Sequence, residues 1–192
     1  MLAHLLLAVL LQAHASNAQL GYELTVPDGF VDFPDGRASS PDVVECWTED
    51  EAVSTQGAMV LCIQRMHGVL GREKLSGADL PVGSQLTTLR WRDFDIAGIR
   101  SRAERDEGPL FVLAAQVPLK PEAVQLTYAG PADQEARIDS LMQVTLASFQ
   151  GKSNWLTSAE RSERIGKSVG IWISIAFAGG VVWYMRKRRA TA

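Results

Sequence analysis

Leu110-Phe111-Val112-Leu113-Ala114-Ala115-Gln116-Val117 is the stretch on which the fold turns. It is a continuously apolar run, rich in strand-forming residues and bounded by Gly108-Pro109 and by Pro118. Such a run reads as a central strand covered on both faces. Downstream, Pro118 and Pro121 break it, and Ala123-Val124-Gln125-Leu126-Thr127-Tyr128 reads as the last strand of the series. The hydrophobic period then changes. From Pro131, the apolar positions Ala136, Ile138, Leu141, Met142, Val144, Thr145, Leu146 and Phe149 mark an amphipathic helix. Pro131 suits its first turn, and Asp133 and Glu135 favour the positive end of its dipole. Gly151 is expected to end it.

Upstream the pattern is strand and turn. Ile96–Glu104 and Gln85–Asp93 read as strands, with Asp106-Glu107-Gly108-Pro109 a turn. Val69–Leu80 mixes helix formers with Gly71 and Gly77 and reads as a short broken helix or a loop. Tyr22-Glu23-Leu24-Thr25-Val26 alternates and ends at Pro27-Asp28-Gly29. Phe30-Val31-Asp32-Phe33 continues to a second turn at Pro34-Asp35-Gly36. A run of strands closed by a helix predicts an α+β domain, an antiparallel β-sheet flanked by α-helices.

Val43-Val44-Glu45-Cys46-Trp47 and Met59-Val60-Leu61-Cys62-Ile63 look like two strands around a loop at Glu49–Gly57. A hairpin centred near Ser54 sets Cys46 opposite Cys62, the two cysteines of the chain. An even pair in an oxidising compartment suggests a disulfide. A bridge there would close a loop of about 16 residues and stabilise by roughly 3 kcal/mol. The alternative is a pair of buried free thiols.

Both ends of the chain are written for a membrane. Residues 1–18 read as a secretory signal, with an apolar stretch at Leu5–Leu11 and small residues at Ala13, Ala15, Ser16 and Ala18, so cleavage is expected after Ala15 or Ala18. Ser168–Met185 is an uncharged run of about 18 residues, roughly 27 Å as a helix. It is stopped by Arg186-Lys187-Arg188-Arg189, which the positive-inside rule places in the cytoplasm. The expected organisation is a signal at 1–18, an outer domain at 19–151 and a juxtamembrane linker and helix start at 152–167. A transmembrane helix at 168–185 and a basic tail at 186–192 complete it. Thr157 and Glu160 form a capping box for the helix that starts near Ser158. Gly166, Gly170, Ser174 and Ala178 recur every four residues, the small-residue stripe through which membrane helices associate. A homodimer or lateral packing on another membrane protein would use it.

All 22 acids but only 15 of the 19 bases lie between Gln19 and Lys167, so the outer part is net negative and the tail positive. An acidic outer domain argues against nucleic acid as a partner and against adhesion to anionic lipid.

The opening strand leading into Val26-Pro27-Asp28-Gly29-Phe30, the long meander and the passage Leu126-Thr127-Tyr128-Ala129-Gly130-Pro131 into a helix ending Leu146-Ala147-Ser148-Phe149 together resemble the Mog1/PsbP-like family. The resemblance covers about Gly21 to Gly151. It implies a sheet sandwiched by helices, and a protein that binds or helps assemble other proteins. It implies no shared catalytic residues. The C-terminal anchor departs from the family pattern.

Catalytic chemistry finds little support in the sequence. His4 and His14 leave with the signal, and His67 is the remaining histidine. That excludes sites needing two histidines, such as the common catalytic zinc sets. Cys62 and His67 are five apart and would face opposite ways on one strand. His67 precedes Gly68 and reads as a solvated turn residue rather than a catalytic base. Asp28, Asp32 and Asp35 lack the EF-hand spacing and read as turn formers. There is no nucleophile elbow, P-loop or dinucleotide fingerprint. No metal and no cofactor is expected.

Arg90-Trp91-Arg92 is the candidate binding surface, since Arg and Trp are enriched in binding hot spots. The competing reading is a core Trp91 with a solvated charge row outside. Trp155 would dock the following helix or sit at headgroup level. The expected function is a single-pass, membrane-anchored, extracytoplasmic, non-catalytic module that binds or assembles protein. The alternatives are a dimeric membrane sensor or structural subunit and, behind it, a hydrolase-type enzyme. The outer domain would lie in the periplasm or at the cell exterior.

Overall fold

A computed structural model describes residues 13–49, 58–72, 80, 83–105, 108–157 and 160. The elements are β1 (His14–Asn17), β2 (Tyr22–Thr25), β3 (Val31–Asp32), α1 (Pro34–Ala38), β4 (Val43–Thr48), β5 (Val60–Arg65) and β6 (Ser84–Trp91). They continue with β7 (Phe94–Ala103), β8 (Leu110–Val117), β9 (Val124–Pro131), α2 (Glu135–Ser148) and β10 (Gln150–Gly151). One sheet has seven strands in the order β3-β4-β5-β9-β8-β7-β6, and a smaller one has the order β1-β2-β10. Every described pairing is antiparallel. The architecture is α+β, and the apolar run Leu110–Val117 is β8, interior to the large sheet between β9 and β7.

Strand alternation gives this sheet two faces. On one, Phe111, Leu113, Ala115 and Val117 of β8 lie beside Val124, Leu126 and Tyr128 of β9, all at 1% exposure or less. Helix α2 covers this face with Ile138, Met142, Thr145 and Leu146. Ile138, Met142 and Leu146 fall four apart and so form one stripe. Burying each contributes about 1.5–3 kcal/mol. The Tyr128 hydroxyl and Thr145 Oγ1 meet at 2.6 Å inside this interface. At the first turn of α2, Arg100 of β7 pairs with Glu135 at 3.1 Å and Asp139 at 2.7 Å, and Arg102 pairs with Glu135 as well. The Arg102 hydrogen bond holds the Glu135 carboxyl below its ordinary range.

Two details of the helix differ from the sequence expectation. Val144 is 58% exposed. At about 100° per residue it stands roughly 200° from both Met142 and Leu146, on the opposite side of the helix. Ala136 is exposed for the same reason relative to Ile138. The helix also ends at Ser148 rather than at Gly151. Phe149 takes an extended conformation. Its ring, fully buried, stacks 5.2 Å from Tyr22 and meets Trp91 edge-on at 6.4 Å. The chain is then aligned to pair Gln150 and Gly151 with β2.

Pro34-Asp35-Gly36, expected as a turn, opens the short helix α1, with Pro34 in the first turn where its missing N–H costs nothing. A Cβ at Gly36 would stand 2.6 Å from Cys46 Sγ, so only glycine lets α1 lie this close to β4. Cys46 and Cys62 are register partners on β4 and β5, as the hairpin reading requires, and they form a disulfide.

At the N-terminus, His14–Asn17 pairs with Tyr22–Thr25, within the segment expected as signal; residues 1–12 lie outside the described residues. The compact unit continues through Trp155 rather than stopping at Gly151. Leu119 bridges Ser153, and Asn154 N–H donates to the Pro118 carbonyl. In the following unit, Thr157 and Glu160 form the capping box. The Glu160 carboxylate accepts from Thr157 N–H at 2.7 Å, and Glu160 N–H donates to Thr157 Oγ1 at 3.2 Å. Among the described residues no helix is long and apolar enough to cross a membrane. Residues 168–185, and Gly166, Gly170, Ser174 and Ala178, lie outside the described residues.

Candidate functional site

The site lies at the β6–β8 end of the large sheet. Leu86 and Thr88 of β6, Asp95 and Ala97 of β7 and Gln116 of β8 share the face turned away from α2 by alternation, while Thr87 and Ile96, which also line it, fall on the other. The segment Leu70-Gly71-Arg72 and the indole of Trp155 wall off one side. Together these residues line a groove of about 750 Å³. Its walls are tied in place by the chain's own polar groups. Trp155 Nε1–H donates to the Leu70 carbonyl at 2.7 Å, and Asn154 Nδ2 donates to the same oxygen at 2.9 Å. The Trp155 ring meets Phe94 edge-on at 5.9 Å. The Arg72 guanidinium lies 5.3 Å from the Trp155 ring centre and 5.7 Å from that of Phe94, a cation–π arrangement. Trp155 is thus docked on the domain.

Gln116 is the unusual member of this lining. It is 8% exposed, and its Oε1 has no hydrogen-bond partner among the described residues. Its register partner Gln125 donates instead to Gln64 Oε1 at 3.1 Å and to Thr127 Oγ1 at 3.2 Å. A row of glutamines therefore crosses β5, β9 and β8, and the one at the groove is left out of the bonding. A buried acceptor without a partner costs about 1–3 kcal/mol. The sequence reading took Leu110–Val117 as uniformly apolar and passed over Gln116. Its signal was available: one amide inside a run otherwise fit for burial on both faces.

The sequence-derived candidates fall elsewhere. Trp91 is fully buried and donates Nε1–H to the Phe149 carbonyl at 2.9 Å. It is a core residue, so Arg90-Trp91-Arg92 presents no joint binding face. Arg90 pairs with Asp95 at 2.8 Å across the hairpin. Arg92 sits in the turn at φ +53° and donates to the Gly151 carbonyl at 2.9 Å. His67 also takes a left-handed conformation, φ +47°, with its exposed ring 2.6 Å from Asp42. Asp32 is bound by Arg37 at 2.6 Å. Among the described residues no group of His, Cys, Asp and Glu is arranged to hold a metal ion.

A second polar cluster is formed by Tyr22 of β2 and Glu45 of β4. The Tyr22 hydroxyl and the Glu45 carboxyl are coupled electrostatically, yet Tyr22 Oη and Glu45 Oε2 are both buried without a hydrogen bond of standard geometry. Burial pushes the Glu45 carboxyl up, and Arg37 only partly offsets this. Burial and the neighbouring Glu45 push the Tyr22 phenol up as well.

No family model matches the chain, and no curated protein matches it. Similar solved structures include a crystal structure from Bacteroides thetaiotaomicron, at 8% identity and a TM-score of 0.45 over 69% of this chain and 46% of that one. Another is LpqN of Mycobacterium tuberculosis, described as involved in cell envelope biogenesis. It aligns at 13% identity and a TM-score of 0.43 over 72% of this chain and 84% of its own. The chain thus spans less than half the length of the first of these structures.

Proposed function

We propose that this chain is a membrane-anchored extracytoplasmic module that binds a protein partner through the groove at Leu86, Gln116 and Trp155. The observation that carries the reading is the groove itself, a preformed concavity with mostly apolar walls and one unanswered buried amide. Binding sites combine apolar lining with a few placed polar groups in this way. The Cys46–Cys62 disulfide supports an oxidising compartment, since such bridges are rare in reducing ones. The Mog1/PsbP-like reading of Gly21–Gly151 and the single-pass anchor at 168–185 belong to the same proposal.

The test is proximity labelling from the outer domain of the full chain in native membranes, with Leu86→Glu as the paired variant. Leu86 is 39% exposed on the groove wall, so a charge there is tolerated by the fold while spoiling an apolar contact. The expected result is a reproducible protein neighbour whose labelling falls about tenfold in the variant. No neighbour above an untethered control, or equal labelling by both forms, overturns the proposal.

A further inference from the structure

We propose that β1 is a stand-in strand: leader removal strips it from the edge of β2, and the vacated edge then receives an extended segment of a partner polypeptide that carries a small apolar residue between polar ones. This rests on the secretory-signal part of the reading above and uses no residue of the groove.

The main-chain bonds of β2 divide by parity. Thr25 N–H donates to Ser148 Oγ at 3.3 Å, and Glu23 pairs with Gln150 of β10. Val26 N–H points the other way and donates to the Ala13 carbonyl at 2.8 Å. Bonded pairs alternate along an antiparallel ladder, so Ala15–Leu24 and Asn17–Tyr22 are the next bonded pairs, and His14–Thr25 and Ser16–Glu23 are not. The main-chain groups of Tyr22 and Leu24, with Val26 N–H, therefore face β1.

Both expected cleavage positions fall within this strand or just after it. A cut after Ala15 or after Ala18 hydrolyses one peptide bond, water supplying the oxygen of the new carboxylate and the protons of the new ammonium. Either cut removes Ala13 and Ala15, so Val26 N–H and both main-chain groups of Leu24 lose their partners. The core stays behind: Leu20, Tyr22, Leu24 and Val26 are all at 2% exposure or less. What β1 adds to that core is a half-buried alanine, Ala15.

The kind of segment that fits is read from the strand seated there. It runs antiparallel to β2, with Ala15 packed on the domain and His14 and Ser16 exposed. An edge of this kind takes extended peptides through main-chain hydrogen bonds, and alternate side chains set the choice. The seat therefore calls for a small apolar residue at the Ala15 position and leaves its neighbours polar.

The experiment compares two forms of the full chain in nanodiscs. One is processed at its own leader; the other is made behind a leader cut ahead of Ala13 and so keeps residues 13–17. The N-terminus of the first is expected by mass at Ser16 or Gln19. Amide exchange at Leu24 and Val26 should be at least about tenfold faster in the processed form. Acetyl-Ala-His-Ala-Ser-Asn-amide should slow it there by a similar factor, and should bind the longer form at least about tenfold more weakly, since that edge is filled. The Ala15→Pro version of the peptide lacks the N–H that the Leu24 carbonyl accepts and should protect neither amide. Equal exchange in the two forms, no protection by the plain peptide, equal binding to both forms or equal protection by the proline peptide overturns the proposal. A processed chain that keeps residues 13–17 overturns it too, and the mass alone tests the leader. The labelling result at Leu86 uses neither β1 nor β2, so the groove reading stands or falls separately.

Discussion

The bond between Tyr128 and Thr145 makes the sharpest test of how α2 is held to the sheet. The oxygens are 2.6 Å apart with either hydroxyl able to donate, both residues are fully buried, and burial pushes the Tyr128 phenol up so that it stays neutral. Tyr128→Phe strands Thr145 Oγ1, but a helix threonine can turn back to a carbonyl of its own helix, so the cost is about 1 kcal/mol. Thr145→Val strands the Tyr128 hydroxyl. Its ring is fixed edge-on against Phe30 at 6.1 Å and cannot swing the oxygen to water. That cost sits higher, about 2–3 kcal/mol. The double variant replaces both partners by apolar groups of nearly the same shape and should lose less than about 1 kcal/mol. The coupling is therefore at least about 2 kcal/mol, well outside the additivity expected of independent sites. Denaturant unfolding of the four forms gives each stability by linear extrapolation. If the two single losses add to the double loss within about 0.5 kcal/mol, the bond does not pin the helix and the reasoning is wrong.

Two further outcomes follow from the same structure. Opening the Cys46–Cys62 bridge, by reduction of the wild type or by Cys46→Ala with Cys62→Ala, frees a loop closed at a separation of 16 residues. It should lower stability by about 3 kcal/mol, and a loss under about 1 kcal/mol in both forms would refute the loop-closure account. Burial raises the Glu45 carboxyl above its ordinary 4.5, so its contribution to stability is fully present below that pH and is lost as pH rises through the folded pKa. Glu45→Gln removes this loss, so its Tm should rise relative to the wild type as pH increases above about 4.5, and a difference that does not change with pH would sink the assignment.

What the sequence made legible was local and periodic. Cys46 and Cys62 could be set opposite one another because two alternating runs flank a loop of readable length, and alternation then forces the register. The stripe Ile138, Met142 and Leu146 was legible for the same reason. Val144 was assigned to it by counting apolar residues rather than by angle. Trp91 was harder. A period of two puts Arg90 and Arg92 on one side and Trp91 on the other, but which side is core depends on Phe149, whose carbonyl accepts the indole proton across 58 residues of chain. Likewise, Pro34-Asp35-Gly36 is locally a turn, and it becomes a helix where Gly36 can approach Cys46. The two residues of β10 carry no pattern at all. The groove was illegible because its walls, residues 70–72 and Trp155, are joined to each other through the single Leu70 carbonyl and not by any periodic signal.

Gln116 shows why one polar residue in an apolar strand can say more than an exposed charged motif. On β8, Phe111, Leu113, Ala115 and Val117 are committed to the helix face, and nothing in that commitment constrains position 116. An apolar residue there would remove an unanswered acceptor and should leave the strand no less stable. Natural structures keep few such groups, and each calls for a reason. Gln64 and Gln125 have theirs in each other. The amide at Gln116 lines a preformed groove, and its Oε1 has no answer among the described residues. Tyr22 Oη and Glu45 Oε2 carry a like cost away from the groove, so Gln116 bears on binding only through the proposed protein-binding reading, in which function and not folding sets the residue.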